Sequence, residues 1–485
     1  MKSKITTALL AALMLAGTLT QVVSCGSADN AGTSQTTTAN TASAETDAVT
    51  EDTRYQANLP ADLNYNGESF NIVTYDDSNA TWYDVDFAAT EETGDTLNDA
   101  AFRRMIAVEQ LLNIDIVACP SEDYGTTLVK KSVMAGDGAY DCGFVKTHGA
   151  TSLAESGMLV DLKTMETLEI TAPWWDQNAV HDLTIGGRLF MVTGDISIMY
   201  KKSIGVLLFN KQMVADYDME SPYQLVGDGK WTMDAMLSMM SEVVSDINGD
   251  SVMDASDRWG FLSHSKQVSP NFWIAAGEMS ILKDKDDVPY INMTSERFVN
   301  VWNKFFDITW DAETWFSKSI GDFDVPTDNI QIFSEGRSMF MDVSFFHIGT
   351  LRDMETDFGV LPYPKYDEAQ SEYYSRVSYY WANIIPITNT KLDMTGAILE
   401  ALNCESANYV VPAYYEIALK TKYSRDEESA AMLDLIFENR VVDLGDTVLC
   451  ATIRDGFIAQ MFKSNKRDIA SQVAKKEKTI NKLFD

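Results

Sequence analysis

Between residues 70 and 146 the chain alternates short apolar runs with amphipathic stretches, and this alternation restricts the fold more than any other feature. Phe70-Asn-Ile-Val-Thr-Tyr75 reads as a strand. Residues 95–112 read as a helix, because Leu97, Ala101, Met105, Val108 and Leu112 fall on one face. A strand at 114–118, a helix at 126–134 and a strand at 142–146 follow. Strands separated by helices point to a parallel, doubly wound α/β sheet. Such sheets take ligands in crevices at the carboxyl ends of their strands. Tyr75-Asp76-Asp77 and Lys146-Thr147-His148-Gly149 sit at two of those ends. No internal repeat with a period of about 20–50 residues is present, which removes solenoids and propellers.

Composition narrows the function classes. The 485 residues carry 38 Lys plus Arg against 72 Asp plus Glu, a formal charge of −34. That balance excludes nucleic acid, because phosphate binding needs clustered Lys and Arg, and it excludes an anionic lipid surface held by basic patches. With 45% hydrophobic and 11% aromatic residues there is material for large cores. At about 100–200 residues per domain the length suits two to four domains or two large lobes.

The N-terminus sets the compartment. Residues 1–24 read as a signal peptide: Lys2 and Lys4, then an uncharged run rich in Leu and Ala. The run ends in Val22-Val23-Ser24-Cys25-Gly26, which resembles a bacterial lipobox, with Cys25 as the lipidated residue. Val22 and Ser24 depart from the commoner Leu and Gly or Ala. A retained membrane anchor and simple secretion are the alternatives. Residues 25–54 are Thr, Ser, Ala, Asn and Gly with almost nothing to bury, the composition of a flexible tether. The expected location is extracytoplasmic, anchored to the cell membrane through Cys25. Cys119, Cys142, Cys404 and Cys450 form no C-x-x-C pair and read as buried free thiols.

Further along, six segments carry a family resemblance. They are Gly157-Met-Leu-Val-Asp-Leu162, Gly187-Arg-Leu-Phe-Met191, Leu207-Leu-Phe-Asn-Lys211, Lys230-Trp-Thr-Met-Asp234, Phe333-Ser-Glu-Gly-Arg-Ser-Met339 and Phe358-Gly-Val-Leu-Pro-Tyr-Pro-Lys365. In this order, behind a lipobox and tether, they resemble the extracellular solute-binding proteins (sugar-type, family 1) of bacterial ABC importers. The resemblance implies a two-lobed, periplasmic-binding-protein-like (type II) α/β fold, each lobe a mostly parallel sheet flanked by helices and joined by a hinge. On that mapping residues 55–192 plus 383–425 build one lobe and 193–382 plus 426–485 the other. Gly194 in Thr193-Gly194-Asp195 would absorb hinge rotation. The implied function is capture of a carbohydrate, an oligosaccharide, by hinge closure and its delivery to permease subunits, by a monomer without covalent chemistry. A non-sugar solute is the alternative.

Sugars are held by flat aromatic faces against their CH groups and by planar polar side chains around their hydroxyls; each aromatic contact is worth ~0.5–1.5 kcal/mol beyond its area. Tyr75 and Trp82 follow the first strand, and His148 follows the strand at 142–146. The resemblance adds Trp273, where the family often has a ligand-facing aromatic, and Phe345 with Phe346, where some relatives carry a stacking Trp. Tyr380 and Trp381, beside Tyr379, enter the expected return crossing. Asp77, Asp195 and Asp342 are the candidate hydroxyl acceptors, although most of the 72 acids must simply be solvated. Most of the 10 Trp and 20 Tyr must nevertheless be core. Trp231 reads as packing, Trp174-Trp175 as either a lid or a wedge, and His181, His264 and His347 as surface or satisfied core residues.

The sharpest chemical signal is Asp246-Ile-Asn-Gly-Asp-Ser-Val-Met-Asp-Ala-Ser-Asp257. Asp246, Asn248, Asp250, Asp254 and Asp257 place oxygens at loop positions 1, 3, 5, 9 and 12, with the Val252 carbonyl at 7, the spacing that wraps a Ca2+ ion. The loop resembles those of dockerins. Ser251 stands where glycine is usual, and Asp257 is shorter than the usual Glu. An Asp-rich solvated turn is the plainer alternative. A glycan-degrading enzyme needs two carboxylates at a defined separation, which sequence does not reveal. Zinc, nucleophile-elbow and Walker motifs are absent. The basic C-terminal stretch around Lys475, Lys476 and Lys478 reads as a solvated helix.

Overall fold

The protein is seen here as a computed structural model that describes residues 54–75, 85–87, 89–121, 123–317, 327–348, 351, 354, 357–417, 427–482 and 484. The expected signal segment, Cys25 and nearly all of the tether lie outside the described residues, as do Asp77 and Trp82.

Local rules build the first lobe. Asp95 caps the helix Thr96–Leu112, its Oδ1 accepting the backbone N–H of Leu97 and Asn98 at 3.1 and 2.9 Å. The apolar stripe Leu97, Ala101, Met105, Val108 and Leu112 is buried, and Asn113 in the left-handed region ends the helix. Strands β1 (Glu68–Tyr75), β2 (Ile114–Ser121) and β3 (Cys142–Lys146) are mutually parallel, with β1 central and Tyr75 opposite Ser121. Their carboxyl ends therefore open on one edge. The helix Leu392–Ile417 packs against Thr96–Leu112 and completes this lobe.

The chain then leaves for a second sheet, whose strands are β4 (Gly205–Asn210), β5 (Trp259–Leu262), β8 (Trp315–Phe316), β9 (Ser338–Ser344) and β10 (Phe358–Leu361) in the order β10-β4-β9-β5-β8. A small hairpin, β6 (Ile281–Lys283) and β7 (Pro289–Ile291), stands apart. The second sheet is mixed, not mostly parallel. Strand β4 runs antiparallel to β9 and β10, whereas β5 is parallel to β8 and β9. Two cores result, one holding Phe70, Val145 and Leu402, the other Phe261, Phe272 and Phe305.

The passages between lobes run side by side. After β11 (Ser375–Arg376) the chain returns as β12 (Trp381–Ile384), antiparallel to β3. Val192 pairs with Asn383 and Ile204 with Val377, and Ser378 donates its N–H (3.3 Å) and its Oγ (2.9 Å) to the Ser203 carbonyl. Beyond the helix Glu427–Glu438, β13 (Arg440–Val441) joins β11 in parallel. Gly194 serves the outgoing passage differently from the expectation. Its φ is not positive; a Cβ there would strike Asn403 and come within 2.6 Å of the Trp174 carbonyl, so close packing requires the glycine. Trp174 and Trp175 form a wedge: both indoles are buried and donate to Glu400, at 2.6 and 2.8 Å. Cys119, Cys142, Cys404 and Cys450 are free thiols. Among the described residues no helix is long and apolar enough to cross a membrane.

Candidate functional site

A cavity of about 610 Å³ lies where the lobes and passages meet. Tyr124, Lys146, Thr147 and His148 line it from the first lobe. His264, Lys266, Asn271, Asp342 and His347 line it from the second, and Arg376, Ser378, Tyr379 and Trp381 from the returning passage. Thr447, Cys450, Arg454 and Asp455 close it from the C-terminal segment.

Strand ends explain the first-lobe wall. Tyr75 ends β1, Tyr124 follows β2, and Trp381 opens β12 opposite Lys146, the last residue of β3. The three rings stack: Tyr75 on Tyr124 at 5.0 Å and 14°, Tyr75 on Trp381 at 5.1 Å and 20°, and Tyr124 on Trp381 at 5.6 Å and 28°. Tyr124 and Trp381 face the cavity, with Tyr75 supporting them from outside its lining. The Lys146 ammonium lies 4.6 Å from the Tyr124 centroid, and the His148 ring meets Tyr124 edge-on. Aromatic stacking of this kind fixes the rings without consuming their outer faces.

Opposite stands a polar wall. Asp342 accepts from the Tyr363 hydroxyl at 2.6 Å and the Asn271 amide at 3.1 Å. Burial pushes its carboxyl up to about 6, against the Tyr363 hydrogen bond and the nearby Arg376. His347, 3.0 Å from the Ser344 hydroxyl through Nδ1, is pushed down to about 4 by burial and then by His264, so its imidazole is neutral at pH 7. Burial likewise lowers His148, followed by Lys146 and Arg454. The arrangement offers aromatic faces, neutral imidazoles, an amide and a carboxyl around one volume. Those are donors and acceptors suited to a polyhydroxylated solute.

No protein-family model matches the chain, and no curated protein matches it. Solved structures do. An ABC substrate-binding protein from Listeria monocytogenes in complex with cycloalternan aligns with a TM-score of 0.54 at 13% identity, covering 86% of this chain and 98% of that one. A cyclic alpha-maltosyl-1,6-maltose binding protein from Arthrobacter globiformis aligns with a TM-score of 0.57 at 13% identity, over 86% and 98%. A cyclo/maltodextrin-binding protein complexed with maltotetraose aligns with a TM-score of 0.56 at 13% identity, over 84% and 97%. The fold is that of the sugar ABC substrate-binding proteins.

Within this binding-protein fold the expected site residues separate. His148, Trp381 and Asp342 line the cavity, and Tyr75 backs it. Four others are drawn elsewhere by better local partners. Trp273 lies in the helix Val268–Ala275, buried on every side, and donates Nε1–H to Asp443 at 2.8 Å. Phe345 stacks on Phe437, and Tyr380 meets Tyr200 edge-on. Asp195 pairs with Lys201 at 2.9 Å. Trp231 is core, as its position before a helix suggested, donating to the Pro362 carbonyl at 3.0 Å. His264 and His347 are corrections in the other direction: neither is an idle core or surface residue, since both border the cavity. Tyr124, Lys146, Arg376 and Arg454 also line the cavity, without any motif in the sequence that marks them.

At loop 246–257 the acidic oxygens face the loop's own amides. Asp246 accepts from Gly249 and Ser251 at 2.6 and 2.8 Å, and Asp257 from Ile247 and Asp254 at 3.1 and 2.8 Å. Asn248 and Asp250 each take the amide two residues ahead. Ser251 holds φ +67°, the left-handed turn that glycine favours. Among the described residues no three His, Cys, Asp or Glu side chains gather around a metal-sized point.

Proposed function

We propose that the chain is a lipid-anchored solute-binding protein that captures an oligosaccharide in the cleft and presents it to an ABC permease. The stack of Tyr75, Tyr124 and Trp381 carries the reading, because two of its rings face a cavity shared by both lobes. The three solved proteins of this fold named above are, by their descriptions, substrate- or sugar-binding proteins, two of them in complex with an oligosaccharide. A solute touching His148 on one wall and Asp342 on the other stabilises the closed arrangement by its differential affinity for it. Binding and release require no covalent step. The proposal extends to lipid on Cys25, which follows the hydrophobic run, and to a structural calcium ion in loop 246–257, which rests on oxygen spacing.

A thermal-shift screen of the compact unit from residue 53 onward against neutral and acidic tetrasaccharides tests the central claim. A saccharide that raises the melting temperature in wild type and not in Trp381→Ala supports it. No shift with any saccharide, in protein shown to be folded, removes it.

A further inference from the structure

Four cationic side chains border the cleft of a chain whose formal charge is −34. Three are already committed to carboxylates. Arg376 grips Asp446 in bidentate fashion, at 2.6 and 2.8 Å. Arg454 reaches Asp446 at 3.3 Å and Asp455 at 2.7 Å, and Lys266 reaches the same Asp455 at 2.8 Å. Two carboxylates thus serve three cations. The remaining acid at the cleft, Asp342, is occupied by Tyr363 and Asn271.

Lys146 is the fourth cation. Among the described residues it forms no ion pair. Its ammonium instead lies 4.6 Å from the Tyr124 centroid and 5.7 Å from that of Tyr379. Burial, then Arg454 and Lys266, lower its pKa, while Cys450 and Asp455 act in the opposite direction. Among the described residues this ammonium, beside two rings, has no carboxylate to itself, since the nearby Asp455 already pairs with Arg454 and Lys266, and a neutral sugar supplies none.

The geometry points to an acidic saccharide as the ligand: a sugar whose carboxylate or sulfate pairs with the Lys146 ammonium while its ring lies against Tyr124 and Trp381. This rests on the saccharide reading of the cleft and adds the charge of the substrate. A single anion entering there would be shared by Lys146, Lys266 and Arg454, all of which border the same volume. Charge-assisted hydrogen bonds of that type are about twice as strong as neutral ones.

Isothermal titration of the purified full chain with five probes tests it: tetragalacturonate, its methyl ester, a chondroitin sulfate tetrasaccharide, its desulfated form and maltotetraose. The expected result is binding of an acidic probe at least about tenfold tighter than its neutral counterpart, weakening as salt is raised. Tetragalacturonate preferred over its ester assigns a carboxylate; chondroitin sulfate, which carries glucuronate carboxylates as well, assigns a sulfate only where its desulfated form fails to bind. Lys146→Met should cut affinity for the acidic probe about 10- to 100-fold and erase the preference, while Lys146→Arg keeps it. Should the methionine variant fail to fold, the arginine variant and the acid–ester comparison still decide. Equal binding of acid and ester, or of maltotetraose alone, overturns the acidic assignment and leaves the saccharide reading standing. A preference that survives Lys146→Met overturns the role of Lys146. Binding of no probe by folded protein overturns both readings.

Discussion

The carboxylate of Asp446 anchors two arginines at the base of the cleft, and replacing it by an asparagine is the sharpest structural test available. Asp446 has 0% side-chain exposure and Arg376 2%. Arg454 has 10%. In wild type the Asp446 carboxylate accepts two hydrogen bonds from Arg376 and one from Arg454, which also donates to the Asp446 carbonyl at 3.0 Å. The amide introduced by Asp446→Asn would keep one acceptor, lose the negative charge and turn an N–H toward a guanidinium. Arg454 retains Asp455, but Arg376 retains only the carbonyl and side chain of Gln267, at 3.2 and 2.7 Å. Removing one partner of a buried pair costs about 3–5 kcal/mol, so Asp446→Asn should lose about 3 kcal/mol. That is a large part of a total stability of about 5–15 kcal/mol. With a slope of about 3 kcal/mol/M, the urea midpoint falls by about 1 M. Near- and far-ultraviolet circular dichroism should report the same transition. The control is Arg376→Met, Asp446→Leu and Arg454→Met together, which leaves no unpaired charge in this triad and should lose less than the single variant. A single variant within about 1 kcal/mol of wild type would refute the reasoning, because the guanidiniums would then not depend on this carboxylate.

Four further outcomes are expected. Trp381→Ala should destabilise the protein by about 3–5 kcal/mol and abolish saccharide binding. Trp273→Phe should lose about 1–3 kcal/mol with its bond to Asp443 and leave affinity unchanged in calorimetry. For His347 the folded pKa of about 4 lies below the ordinary value, so the unfolded chain binds more protons between about pH 6.5 and 4. Its share of stability is complete above about pH 6.5 and is lost as pH falls toward 4. His347→Gln should reduce that slope in urea titrations from pH 7 to 4.5. Asp342, raised to about 6, acts with the opposite sign over nearly the same interval, so Asp342→Asn should steepen the loss. Calcium added to chelator-stripped protein should bind with measurable heat and, at about 100 times its dissociation constant, add about 2.7 kcal/mol. Asp246→Ala should remove both effects, and their absence in wild type retires the calcium proposal.

Local periodicity made the first lobe legible. Its helix Thr96–Leu112 buries the five residues that the apolar spacing selected, and β3 spans the residues expected of it. The candidate site was legible at the strand ends that the alternation revealed, and at Trp381, which the family resemblance placed in the return crossing. His148 came from the end of β3 and Tyr75 from the end of β1. Tyr124 follows β2, whose last residue lies opposite Tyr75; the same carboxyl-end rule, applied to the third strand, finds it. His264 and His347 needed topology. Strand β5 lies parallel beside β9, with Leu262 opposite Met341, so the segments after both strands emerge on one edge. Nothing in the spacing of these two histidines reveals that adjacency. Trp273 shows the opposite failure: analogy placed an aromatic residue at the ligand, but its helix is buried all round and Asp443 takes its indole N–H.

The same topology explains why the C-terminal segment belongs to the site. Two passages alone leave a cleft walled by the first lobe, the second lobe and the returning chain. The third adds Arg440, whose guanidinium pairs with Asp176 of the first lobe at 2.5 Å and lies over the Tyr200 ring in the outgoing passage. Tyr200 in turn meets Tyr380 in the returning one. The amide of Asn178 donates to the Arg440 carbonyl at 2.7 Å, and Asp182 accepts the Val442 N–H at 3.1 Å. This buried cluster ties all three passages together, so lobe rotation that broke it would strand a charged pair away from water, at several kcal/mol. Contact nearer the cleft is weaker: Thr151 reaches the Val448 carbonyl at 3.4 Å. These contacts flank the cavity that Lys146 and His148 line from the first lobe and Lys266 and Asp342 from the second. On the proposed reading, a solute bridging those walls would add interactions to both, and its affinity would report the balance between that gain and the cost of bringing the walls together.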